Sequence, residues 1–403
     1  MTNRLRIFVS GMMAGDPHQG GATWAVLQYV LGLRSLGHDV YFVEPMTTAA
    51  IRPCDGGLHA SINARYFRDV TTAFGLTDRA ALLVQGTLET VGLGYHTLLA
   101  AAKGCDLLIN ISGMLTDAWL LDVMPRLLYL DLDPAFNQLW HAVEGVDMRF
   151  DGHTHFATVG LAIGTPDCDV PTCGLTWLRT VQPVMLSAWP MADGESGAAW
   201  TTVGNWRGYG SIEHRGVLYG QKAHSLRGFM TLSGRTRARL QLAMAIHPAE
   251  VKDLEALRAN AWDLVDPAEV AATPASYQRF IQRSKGELGI AKSGYVASRC
   301  GWFSDRSVCY LASGRPVVAQ ETGFSRYLPT GEGLLAFSTI DEAVAAMEAV
   351  EAGYLKHCRR ARALAEEHFR ADLVLSALLE RVGQDGGATA GSAVGDVSAM
   401  GWA

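Results

Sequence analysis

At 403 residues the chain exceeds one typical domain and predicts two of roughly 180 residues each. With 49% apolar and 18% charged residues and a formal net charge of -6, it reads as a globular enzyme. That balance argues against nucleic acid as a partner, while leaving room for a small anion held by a local basic cluster. Its seven cysteines are scattered, with no Cys-x-x-Cys pair, which is the usage of a reducing compartment. Met1 to Arg6 carries no apolar leader and no run is long enough to span a bilayer, so the cytoplasm is the expected location.

In chain order, Arg6-Ile7-Phe8-Val9-Ser10 reads as a buried first strand, broken by Gly11 and the loop Ala14 to Gly21. A helix follows with apolar positions at Trp24, Leu27, Val30, Leu31, Leu33 and Leu36, and Gly37 ends it. Further strands are expected at Val40 to Val43, Ala81 to Val84, Leu107 to Ile111 and Leu127 to Leu130, with helical patterns between them. From Asp151 to about Pro190 the pattern turns irregular, as the last elements of the first domain and a linker. A second alternation starts at Trp200 to Gly204 and continues through a strand at Leu242 to Ile246 and a helix at Pro248 to Asn260. It goes on with a short strand near Leu288 to Ala291, a helix near Asp305 to Ala312 and a strand at Pro316 to Ala319. Asp341 to Ala349 and Leu355 to Val382 are helical by period and composition. Gln384 to Ala403 is a Gly-, Ala- and Ser-rich tail with little to bury, expected to be disordered. The expectation is an α/β protein with two doubly wound, Rossmann-like layers facing across a cleft.

Two passages resemble a known family. Gly20-Gly21-Ala22-Thr23-Trp24 followed by Leu33-Arg34-Ser35-Leu36-Gly37-His38-Asp39-Val40 is similar to the opening of GT-B glycosyltransferases. Ser304 to Val318, with its Gly314-Arg315-Pro316-Val317-Val318 turn, resembles the donor-site helix, turn and strand of that fold's second domain. Glu321-Thr322-Gly323-Phe324 and the turn from Gly331 to Leu335 fit the same scheme. The resemblance implies an acceptor domain over residues 1–185 and a nucleotide-sugar donor domain over 186–383. It also implies a closing helix that crosses back onto the first domain, and a tail from 384 to 403. One departure matters. Retaining members carry a Glu five residues before the glycine of that turn and another eight residues earlier, where this chain has Cys309 and Gly301. The ribose contact is therefore absent or moved, with Asp305 as the candidate, and retention of configuration is in question.

A diphosphate leaving group calls for positive charge and backbone amides where negative charge grows. Gly20 and Gly21, at a helix start, offer amides. Arg207, Lys222, Lys285 and Lys292 are the basic candidates in the second half, each set against its reading as an ordinary solvated charge. Ser304 and Asp305 serve as helix N-cap, as ribose ligand, or as both. Glu321, Thr322 and Gly323 follow a strand at its carboxyl end, where ligands gather in open α/β sheets. His18 lies in the loop where inverting members carry their general base, and Asp133 follows a strand from which it can orient or replace that base. Trp302 and Phe303 are the best placed aromatics for stacking on a sugar or base. His153 and His155, with Asp167, Cys168, Asp169 and Cys173 downstream, match no zinc spacing, so no metal is expected.

These residues point to transfer of a hexosyl-like sugar from a nucleotide diphosphate sugar to a hydroxyl acceptor, small molecule or saccharide, by an inverting route and without a cofactor. The alternatives are a nucleotide-sugar epimerase on the same fold, or a non-catalytic nucleotide- or sugar-binding protein. Nothing in the chain specifies the oligomeric state.

Overall fold

The computed structural model describes residues 4–53, 56–192 and 199–384. The expected tail lies outside these residues apart from Gln384. Strands β1 (Arg6–Ser10), β2 (Asp39–Met46), β3 (Ala80–Val84), β4 (Thr90–Gly92), β5 (Leu107–Ile111), β6 (Leu127–Asp131), β7 (His155–Thr158) and β8 (Trp177–Arg179) form one sheet. Its order is β4-β3-β2-β1-β5-β6-β7-β8, parallel throughout except for β3 against β4. A second sheet holds β9 (Ala199–Asn205), β12 (Arg239–Ala245), β13 (Asp263–Val265), β14 (Gly286–Gly289), β15 (Val317–Gln320) and β16 (Leu334–Phe337). All its pairs are parallel, in the order β13-β12-β9-β14-β15-β16. Between β9 and β12 stands a small hairpin, β10 (Ile212–His214) with β11 (Val217–Tyr219).

The central strands carry continuous apolar runs, such as Ala80 to Val84 and Leu107 to Ile109, because both faces of each sheet are covered by helices. Each sheet reverses its strand order at one point, β1 to β5 in the first and β9 to β14 in the second. Such switch points open a crevice at the strands' carboxyl ends. The helix Gly20–Ser35 follows the first switch strand and packs on both Pro274–Arg283 and Ala371–Gln384, so the last described helix lies on the first sheet's layer.

The long closing helix expected over Leu355 to Val382 is interrupted. Tyr354–Leu364 passes into a π-turn at Ala365–Phe369, and a new helix, Ala371–Gln384, begins after Arg370. Arg370 leaves the helical region (φ -56°, ψ 123°) and pairs as an isolated bridge with Val184. The Val184 amide donates to the Phe369 carbonyl and the Ala371 amide to the Val184 carbonyl. Tertiary pairing therefore overrides a strong helical period at this point. The irregular stretch after Asp151 contains β7 and β8, each too short to show a period. Among the described residues no helix is long and apolar enough to cross a membrane.

Candidate active site

A cleft of about 780 Å³ runs between the first-domain turn from Pro17 to Ala22 and the carboxyl ends of β9, β12 and β13. Asp305 and Arg306, from the first turn of the helix Asp305–Ala312, close one side.

A further charge borders this cleft at Gly204, that of Lys222. It opens the helix Lys222–Arg227 and is only 6% exposed. A Cβ built on Gly204 would lie 3.6 Å from its Nζ and 3.8 Å from an Arg306 Nη atom, so the ammonium faces the bare backbone of β9 at its end. The ammonium has no hydrogen-bond or ion-pair partner among the described residues. Burial pushes its pKa well down, the nearby Arg306 charge adds to that, and Glu287 opposes it. Arg306 is itself committed: Nε donates to Glu287 Oε1 at 2.5 Å and Nη1 to the Val203 carbonyl at 3.2 Å. Glu287 is fully buried, and its Oε2 finds no partner. Burial raises the Asp305 carboxyl. An unpaired buried cation beside a neutralised pair is a site with one positive charge to spare.

The Gly-rich turn works differently from expectation. The Gly20 amide donates to the Ala271 carbonyl at 2.9 Å, so it is not free for a phosphate. A Cβ on Gly20 would lie 2.4 Å from the Thr273 carbonyl oxygen, and one on Gly21 2.9 Å from the Tyr277 ring. The two glycines let the first domain close onto the second. The Gly21 and Ala22 amides, next in the helix's first turn, line the cleft with no carbonyl partner among the described residues.

His18 lines the cleft with a left-handed backbone (φ 67°), its ring edge-on to Tyr66 at 5.1 Å. The bracing under its loop was not visible in the sequence. Fully buried Glu44, near the end of β2, accepts the Ala14 amide at 2.8 Å and the Gly15 amide at 2.5 Å. Burial raises its pKa to about 7, against the lowering pull of those amides. Asn63 Nδ2 donates to the Ala14 carbonyl at 2.7 Å, and the Tyr66 and Thr23 hydroxyls share a 2.8 Å bond.

Asp133 is not brought to His18. Its Oδ1 accepts from Lys292 Nζ at 2.8 Å, Tyr209 OH at 2.6 Å and Tyr295 OH at 2.5 Å, tying the first domain to three residues of the second. Burial pushes its pKa up, but Lys292 and the phenol donors outweigh that and hold it below the usual range. A carboxylate so engaged is a poor base. Asp131 is likewise consumed, by Asn137, Gln138 and Thr158.

The other candidates fall outside the cleft. Lys292 serves the tie just described. Arg207 is bound in a fork to Glu250. Lys285 precedes β14 and so sits at the amino ends of the strands, where it pairs with Glu351 at 2.5 Å and lies over the Tyr354 ring. Ser304 caps its helix by accepting the Arg306 amide. Glu321 accepts the Gly323 amide, Thr322 donates to the Trp302 carbonyl, and the Gly301 amide donates to the Thr322 carbonyl, so this loop locks onto its neighbour. Trp302 stacks on Tyr295 and Phe303 on Phe369, within the packing. His153 Nε2 pairs with Asn110 Nδ2 at 3.1 Å, and among the described residues no three His, Cys, Asp or Glu side chains gather as a metal site.

Neither a family model nor a curated protein matches the sequence. Solved structures do match in fold. A glycosyltransferase from Rickettsia africae ESF-5 aligns over 96% of this chain and all of its own, with a TM-score of 0.52 at 11% identity. An alpha-glucosyltransferase in complex with UDP-glucose and DNA containing an abasic site aligns over 94% and 99%, with a TM-score of 0.58 at 11% identity. Anabaena Alr3699/HepE in complex with UDP and glucose aligns over 94% and 100%, with a TM-score of 0.55 at 10% identity. At these identities the likeness is one of fold, and the fold is that of the GT-B glycosyltransferases.

Proposed function

We propose that this protein transfers a glycosyl group from a nucleotide diphosphate sugar to a hydroxyl acceptor. The observation that carries the reading is Lys222, a buried ammonium without a partner among the described residues, set against Gly204, the glycine by which a switch strand lines the main cleft. A diphosphate placed there supplies the missing counter-charge. Lys222, with the Gly21 and Ala22 amides opposite, then faces the negative charge that grows on the leaving group.

His18 stands on the other wall of the same cleft. A neutral imidazole there takes the acceptor's hydroxyl proton as its oxygen attacks the anomeric carbon, and the leaving group departs on the opposite side with its charge on Lys222. That arrangement favours inversion. Asp305 is the carboxylate nearest the arriving ribose, in place of the Glu that the family resemblance leads one to expect. The Asp133–Lys292 tie keeps the two walls at working distance, which limits water access to the donor.

The test is turnover of UDP-, GDP-, ADP-, CDP- and dTDP-sugars, read as release of nucleoside diphosphate. Release above buffer from one of them, lost in His18→Ala with nucleotide binding retained, supports the reading. If no nucleotide at millimolar concentration raises the melting temperature, the donor site is wrong.

A further inference from the structure

Two more side chains in this cleft stand without a full set of partners. Arg258, on the helix Val251–Ala259, and Asp266, directly after β13, both line it. The Arg258 guanidinium makes no hydrogen bond or ion pair among the described residues. Asp266 spends Oδ1 on the Ala268 amide at 2.9 Å as a helix cap, and its Oδ2 accepts from nothing there. The two do not pair with each other. The wall they share also carries apolar Met244, Ile246 and Val265 along the ends of β12 and β13 and Leu254 on the helix Val251–Ala259.

The distance from Lys222 follows from the sheet. β9, β12 and β13 are successive neighbours, and strands lie about 4.8 Å apart. The end of β9, where Lys222 stands, is thus about 10 Å from the end of β13. A ribose and a diphosphate span such a gap. A donor anchored by its phosphates at Lys222 lays its base on the apolar bed between Arg258 and Asp266.

Resting on the glycosyltransferase reading, we propose that Arg258 and Asp266 select the donor's base, taking one with a ring N–H beside a carbonyl, as in guanine or uracil, over adenine or cytosine. The free Asp266 oxygen accepts the ring N–H, joined in guanine by the 2-amino group, and Arg258 donates to the neighbouring carbonyl. Adenine and cytosine invert both contacts. Each sets a ring-nitrogen lone pair against the carboxylate and an amino group against the guanidinium, so the same two residues repel them.

The experiment is calorimetric titration of the full chain with GDP, UDP, ADP and CDP. GDP or UDP binding at least about tenfold tighter than both ADP and CDP is the expected result, with whichever leads naming the base. Asp266→Asn keeps the cap through its carbonyl oxygen and turns the free acceptor into a donor, so it should cut the preference to below about threefold without lowering the melting temperature. Arg258→Met, at an exposed position, should weaken GDP and UDP and spare ADP and CDP. ADP or CDP binding as tightly as the best keto nucleotide overturns the assignment, as does a preference unchanged in Asp266→Asn. If none of the four binds, the donor reading itself falls, an outcome distinct from binding without discrimination.

Discussion

Replacing Lys222 by Met separates what this residue costs the fold from what it gives the site. The side chain is buried, its ammonium is unpartnered among the described residues, and the charge acting on it most is the like charge of Arg306, opposed by Glu287. Met keeps the aliphatic volume and removes the charge. Removing a buried uncompensated charge should stabilise the ligand-free protein by about 2 kcal/mol, or roughly 5 °C in melting temperature for a domain of this size. The sign with pH follows from the depressed Lys222 pKa. Between that value and the unfolded value near 10.5 the unfolded chain binds the extra proton, so wild-type stability rises with pH through this window while the variant's does not. Binding moves the other way. A charge-assisted contact to phosphate is worth about 1.5–3 kcal/mol, so affinity for the preferred nucleoside diphosphate should fall roughly 10- to 150-fold. Affinity for the nucleoside without phosphates should be unchanged. Calorimetry and thermal unfolding, with and without nucleotide from pH 6 to 9, read all of these. A variant that melts lower than wild type and binds the diphosphate equally well would refute the assignment of Lys222 to the phosphates.

Three further outcomes follow. Glu44 has a folded pKa raised from 4.5 to about 7, so the folded state holds the extra proton between those values and wild-type stability falls as pH rises through them. Glu44→Gln should lack that loss, which amounts to at most about 3 kcal/mol and is measurable by urea unfolding at pH 5 and pH 8. Equal pH slopes in the two proteins would contradict it. Gly20→Ala places a methyl 2.4 Å from the Thr273 carbonyl oxygen, and it should cost about 1–3 kcal/mol in thermal unfolding as the seam between the domains opens. Asp133→Asn should loosen the tie to Lys292, Tyr209 and Tyr295, with a larger radius of gyration by small-angle scattering. Because that side chain is partly exposed, the stability loss should be only about 1–2 kcal/mol. Turnover should fall by less than the ~100-fold or more expected on removing a general base.

Much of the architecture was legible in the sequence because it rests on local signals. Continuous apolar runs such as Ala81 to Val84 mark strands buried on both faces, and Gly37 ends the first helix where its period stops. Strands of three or four residues, β7, β8 and β13 among them, carry too few positions for a period to show. The break at Arg370 was hidden because its cause, pairing with Val184, lies far away in the chain. The site was legible in residue type more than in geometry. A lysine's sequence neighbours do not say whether it sits at the amino or the carboxyl end of a sheet, and that alone separates Lys285, paired with Glu351, from Lys222 beside Gly204 at the end of β9. Glu44 gave no sign at all, since its role is to accept two amides from a loop some 30 positions earlier.

The departure at Cys309 has its account in that same packing. Its thiol is buried where the helix Asp305–Ala312 meets Gly20–Ser35, with Gln28 Nε2 at 3.8 Å, and burial drives its pKa well up. A carboxylate placed there would sit in the seam between the domains, with no cation paired to position 309. Gly301, the other place where the resemblance leads one to expect an acid, gives its amide to Thr322 in a loop–loop contact. Near Lys222 the acidic groups are Glu287, already neutralised by Arg306, and Asp305 at the helix start, while Asp266 stands across the cleft after β13. Positive charge on Lys222 is thus balanced by less carboxylate than the retaining pattern would bring. On the proposed reading that leaves positive charge for a diphosphate and gives the ribose contact to Asp305.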